Sequence, residues 1–241
     1  MSTGGENAPV SPRGGSTGAH GRNAQRQRVV AFSWLLGGLL VTYALVITTG
    51  ERLLGSFART VALALVLLAA LRIRRLSRGR TGAIAVVSAA AVVVAALATA
   101  FARGTVLTVL TASTTLALVT VTSSLVIRYL MVRRARVDLA TVLGVLCIYL
   151  LIAMLFSSLH EIGGALVAPY LGGTSAPPSP GDCLYYSVIT ITTVGIGDIG
   201  PVSNLARMVT VLEAVVGQLY LVSVVAAVVS GWRPGVHRGA A

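Results

Sequence analysis

Lysine is missing from this 241-residue chain: all 19 basic side chains are arginine, set against seven acidic ones, so the formal charge is +12. Charge and aromatics are both scarce, at 11% and 5%, whereas 55% of residues are apolar and the mean hydropathy is +0.86. That balance excludes an ordinary soluble domain and describes a polytopic membrane protein. Aromatic and basic residues do not interleave, which argues against a nucleic-acid partner despite the basic excess. The arginines fall between apolar runs instead, where they would set topology in a lipid bilayer. With only Cys147 and Cys183, there is neither a disulfide framework nor a metal spacing, and both read as small packing residues. No nucleophile or metalloenzyme constellation stands out, and His20, His160 and His237 are all expected outside the spans. The chain is therefore read as a non-enzyme with no cofactor.

Stretches of roughly 20 apolar residues can cross the hydrocarbon core. Residues 1–28, rich in Gly, Ser, Asn and Arg, are expected to form a disordered tail. Spans are then expected over 29–49, 53–71, 81–102, 105–127, about 138–159 and 205–232. Asp138 is placed to cap the fifth, and Arg59 near the start of the second can snorkel outward. Nine residues follow Trp232, too few for a regulatory domain. The organisation expected is a tail (1–28), a four-helix membrane domain (29–136), a pore domain (137–232) and a short tail (233–241).

Between the fifth and sixth spans the pattern changes. Residues 160–181 hold Pro177, Pro178, Pro180 and several glycines, and are expected to form an irregular loop at a polar surface. A half-length helix over about 182–192 follows, with Ser179 or Asp182 as N-cap and Pro180 in its first turn. Eleven residues reach only about 16 Å, half a bilayer. The helix runs into Thr192-Thr193-Val194-Gly195-Ile196-Gly197-Asp198. Two glycines flanking one apolar residue suit a backbone that alternates between ordinary and left-handed dihedrals, which turns successive carbonyls the same way.

Thr193-Val194-Gly195-Ile196-Gly197-Asp198 resembles the signature of the tetrameric potassium channel family, whose usual form has Tyr at the place of Ile196. The resemblance implies an all-α membrane fold: six transmembrane helices with a re-entrant pore helix and selectivity filter between helices five and six. It also implies that the backbone of Thr193, Val194, Gly195, Ile196 and Gly197, with the Thr193 hydroxyl, forms the potassium sites. One chain supplies one filter strand and four surround the ion, so a homotetramer is expected, with potassium as permeant ligand. Asp198 would stand at the outer mouth. Tyr185, Tyr186 and Thr192 would support the filter from the pore helix. The usual Tyr donates a hydrogen bond to the aromatic pair matching Tyr185 and Tyr186; isoleucine cannot, so that pair must find another partner. Ile189 stands where the family often has a Glu paired with this Asp.

On the sixth span, Gly217 occupies the spacing of the family's hinge glycine, with close helix packing as the alternative. Gln218, Leu221, Val225 and Val229 follow at three- or four-residue intervals as candidate cavity and gate residues. Glu213 is an acidic residue inside a span and is expected to pair with a polar group behind the filter. Most arginines lie in the N-terminal tail, the second and fourth connections and the C-terminus, whereas Arg52, Arg59, Arg103 and Arg207 lie on the other side. Both termini are thus expected in the cytoplasm and the pore loop outside, in a plasma membrane.

A voltage sensor needs arginine at every third position of the fourth span. Here that rhythm is Thr105, Thr108, Thr111 and Thr114. Arg128, Arg133, Arg134 and Arg136 read as a cytoplasmic linker, so weak voltage dependence is expected. Two alternatives stay open: a non-selective cation channel, because of Ile196, or a secondary transporter whose glycines merely break a helix. No regulatory subunit is specified by the sequence.

Overall fold

A computed structural model describes residues 16–49, 60, 63–67, 86, 90, 93, 94, 97, 104–132 and 138–231. Within them run five helices, α1 (Ser16–Thr49), α2 (Gly104–Val132), α3 (Leu139–Leu166), α4 (Pro180–Ile191) and α5 (Asn204–Gly231), with two-residue strands β1 (Leu171–Gly172) and β2 (Gly200–Pro201). Four helices are long and apolar enough to cross a membrane: Gln25–Thr48, Gly104–Leu130, Leu139–Leu166 and Asn204–Ala227. The all-helical membrane architecture is therefore as expected. The expected second and third spans lie mostly outside the described residues, as do Arg59, Arg103, Arg133, Arg134 and Arg136. Their described positions, Thr60, 63–67, Val86, Ala90, Val93, Val94 and Leu97, are helical.

Two boundaries differ from the sequence reading. Residues 16–28, expected to be disordered, continue α1 toward the N-terminus. Ala24, Gln25, Arg26, Gln27 and Arg28 are good helix formers, and extending an existing helix avoids the nucleation cost. At the other end of the core, α3 runs to Leu166 rather than stopping near Leu159, so His160 lies inside a candidate span. Gly163 and Gly164 looked like breakers, but both are buried; Gly163 presents bare backbone to the Tyr170 ring, which a Cβ there would strike. The loop is correspondingly shorter. Part of it is regular, since β1 pairs antiparallel with β2 and the Val202 N–H donates to the Tyr170 carbonyl at 3.0 Å.

The helices begin where side chains satisfy their first N–H groups. Asp138 accepts from the Thr141 N–H and hydroxyl to cap α3. Ser203 Oγ accepts from the Ala206 N–H at the start of α5. Ser179 and Asp182 form a reciprocal capping box at α4, with Pro180 in the first turn.

One apolar core joins α1, α2 and α3 to the inner side of α4. It holds Phe32, Leu35, Leu39, Leu118, Leu151, Leu184 and Ile191. On α2, Thr111, Thr114, Thr115 and Thr122 are buried and each hydroxyl donates to the carbonyl four residues back. These threonines satisfy themselves within their own helix and can sit in a tight apolar contact.

Candidate functional site

Residues 192–198 leave α4 through a complete set of hydrogen bonds. A helix ends with four carbonyls that lack intrahelical donors. Here Val188 O accepts from the Thr192 N–H and hydroxyl, at 3.1 and 2.6 Å. Ile189 O accepts from the Val194 and Gly195 N–H groups, at 3.0 and 3.1 Å, and Thr190 O from that of Thr193, at 3.0 Å. Ile191 O accepts the Tyr149 hydroxyl from α3 at 2.7 Å.

That set also orients the strand. In a planar trans peptide the C=O points opposite to the following N–H. With the N–H groups of Thr193, Val194 and Gly195 turned back toward α4, the carbonyls of Thr192, Thr193 and Val194 point away from it. The dihedrals follow the same rule: φ is +60° at Thr193, +54° at Gly195 and +86° at Gly197, and ordinary at the residues between them. Glycine takes such angles freely, but a β-branched threonine does so at a cost of about 1–2 kcal/mol. Thr193 is the one described non-glycine residue with positive φ. Residues 192–198 are exposed, with Val194 and Ile196 each 62% accessible, so the strand lies on the open face of the subunit.

Behind the strand, both tyrosines have partners. Tyr185 donates to Asp198 Oδ2 at 2.9 Å, and the other carboxylate oxygen accepts the Ile199 N–H at 3.0 Å. Asp198 therefore braces α4 and closes its own turn, with Ile189 leaving no acidic partner on the helix. Tyr186 reaches Thr210 Oγ1 at 2.8 Å. Because the Thr210 hydroxyl donates to Ala206 O, the phenol is the donor in that bond. Both phenols thus find partners other than Ile196: Asp198 for Tyr185 and α5 for Tyr186.

On α5 the buried and half-buried positions are Ala206, Val209, Thr210, Glu213, Ala214, Gly217, Tyr220 and Val224, recurring at three- and four-residue intervals. Gly217 is in close packing, since a Cβ there would collide with the Ile191 side chain. Gln218, Leu221 and Val225 are exposed on the other side of the helix. Val229 lies on α5, its side chain outside the described set. Glu213, fully buried, pairs with His160 Nε2 at 3.1 Å.

Three participants escaped the sequence reading. His160 was set aside as a loop residue; the need of Glu213 for a buried partner was the signal that pointed to it. Tyr149 and Tyr220 stack at 6.0 Å and donate to Ile191 O and Val145 O. Tyrosine inside an apolar run was the only hint of a phenol seeking a carbonyl.

No curated protein and no solved structure matches the chain. Residues 144–231, which run from α3 through α4 and the 192–198 stretch to the end of α5, match the family model described as an ion channel, and the apolar helices and this match together support ion-channel function in a membrane.

Proposed function

We propose that the chain is one subunit of a homotetrameric potassium-selective channel that conducts passively, with six spans and the 193–197 strand as its filter. The observation that carries this is the orientation of the strand: N–H groups held by α4, left-handed φ at every second residue, and carbonyls directed away on an exposed face. Four copies turned inward would stack rings of backbone oxygens that replace the hydration shell of a cation. The Thr193 hydroxyl would complete the innermost ring. The exposed apolar face of α5 suits packing against neighbouring subunits and lining a cavity with Gln218, Leu221, Val225 and Val229. Gly217 in this reading is also the place where α5 can bend.

The preference for potassium rests on backbone geometry, which Ile196 leaves intact. Weak voltage dependence rests on the threonine-rich α2, and both termini are read as cytoplasmic. The test is flux from liposomes reconstituted with the purified protein. Barium-blocked potassium flux at channel rates, abolished by Gly195→Ala, is expected, because an added Cβ disfavours the +54° φ. A bi-ionic reversal potential near zero for potassium against sodium would establish the non-selective alternative. Saturable, proton-coupled flux would instead indicate a transporter.

A further inference from the structure

His160 sits where four segments meet, and both nitrogens of its buried imidazole are engaged. Nδ1 lies 3.1 Å from the Tyr170 hydroxyl of the outer loop, and Nε2 lies 3.1 Å from Glu213 Oε2 of α5. The ring edges meet Tyr170 and Tyr186, the latter on α4, with centroids 5.8 and 5.1 Å away. The remaining carboxylate oxygen, Glu213 Oε1, is buried beside the Ser187 hydroxyl of α4, which can donate to it. A carboxylate this deeply buried is costly even when hydrogen-bonded, and a proton relieves it.

We propose that His160 and Glu213 form a proton-binding site behind the filter, and that its occupancy sets the stability of the conducting strand. This rests on the channel reading above. With one proton on the pair, Nε2–H donates to the carboxylate, Nδ1 accepts from Tyr170, and the site carries one net negative charge. A second proton, taken from solvent, makes it neutral. Two places await that proton. On Glu213 Oε1 it would face Ser187; on His160 Nδ1 it would turn the Tyr170 hydroxyl from donor to acceptor. Either change alters a hydrogen bond to α4 or to the loop joined to the post-filter strand.

Around the pair, Glu161 is a buried neighbour on α3, α1 contributes Tyr43 within electrostatic reach of Glu213, the loop contributes Tyr170, and α4 contributes Tyr186 and, against Tyr170, Cys183. On α5 the nearest described base, Arg207, is exposed, and Asp198 is held by Tyr185 and its own turn. Ala168 and Pro169, beside Tyr170, are exposed, so the site lies close to the loop surface. A negative charge behind each of four strands attracts cations into the filter, and its loss at low pH weakens that attraction where the dielectric is low. Acid would therefore lower the cation occupancy that holds the strand in place.

The chain has three histidines, so His20→Gln with His237→Gln leaves one imidazole in the full-length protein. In ¹⁵N-histidine-labelled protein the His160 ring shifts are expected to respond to pH in one transition, which Glu213→Gln is expected to displace. A flat profile with Glu213 intact, or an unchanged transition in Glu213→Gln, overturns the site. In bilayers, current should decline faster at acidic external pH. A one-unit difference in proton affinity between cation-loaded and empty strands changes their ratio about tenfold, and Glu213→Gln should flatten that profile. An identical pH profile in the variant overturns the coupling. Potassium-selective current with a flat spectrum removes the inference alone, whereas a titrating imidazole in a protein that passes no ions removes the channel reading and the coupling with it.

Discussion

Tyr149 donates its hydroxyl to the carbonyl of Ile191, 2.7 Å away, and so ties α3 to the last residue of α4. Ile191 is held from the other side as well, where its side chain lies against the bare backbone of Gly217 on α5. The tyrosine ring stacks on Tyr220, one turn beyond that glycine. The base of the 192–198 stretch is thus gripped by α3 and α5 at once, so motion of α5 reaches it directly.

Removing that donor should loosen the strand without dismantling the packing. In Tyr149→Phe the ring stack survives and one hydrogen bond is lost, a cost of about 0.5–1.5 kcal/mol. Amide hydrogen exchange at residues 192–195 should accelerate in proportion, by several-fold, while exchange in the middle of α2 stays as it was.

Gly217→Ala should be destabilising by about 1–3 kcal/mol, the usual range for overpacking a filled contact. The added methyl enters the space of the Ile191 side chain. Combining it with Ile191→Ala should recover part of the loss in thermal unfolding. Additive losses in the double variant would mean that the two residues do not share this contact.

The bond between Tyr185 and Asp198 should behave as a unit. Tyr185→Phe and Asp198→Asn are each expected to speed the decline of current, and the double variant should decline no faster than the more affected single one. Independent, multiplying effects would show that Asp198 acts only through its exposed charge.

Ser179→Ala removes one half of the capping box that starts the pore helix. A loss of about 1 kcal/mol is expected, seen as a lower midpoint in thermal unfolding of the detergent-solubilised protein. Ser179→Asp should retain most of the stability, because a carboxylate can accept the same N–H group and favours the positive end of the helix.

Much of this architecture was written in near neighbours. Apolar length marked α1, α2, α3 and α5; Asp138, Ser179 and Pro180 marked helix starts; and the alternate glycines marked the left-handed positions of the strand. Such features are legible because hydrophobic period, capping and backbone dihedrals depend on residues a few places apart. The absence of charge in the threonine rhythm of α2 was equally plain. Helix ends were less so: Gly163 and Gly164 read as breakers because their local cost is real, and only the Tyr170 ring against the first and Pro178 against the second show what offsets it.

Sequence by itself therefore determined the membrane class, the place of the glycine-alternating stretch 192–198 and the groups that cap the helix before it. Tertiary structure alone decided the partners of the buried polar groups. Glu213 and His160 stand 53 residues apart, and Tyr149 stands 42 from Ile191. Burial demands that each such group be satisfied, but which group does so depends on how α3, α4 and α5 pack. The left-handed Thr193 was decided there too, since a threonine holds that conformation only when the hydrogen bonds back to α4 impose it.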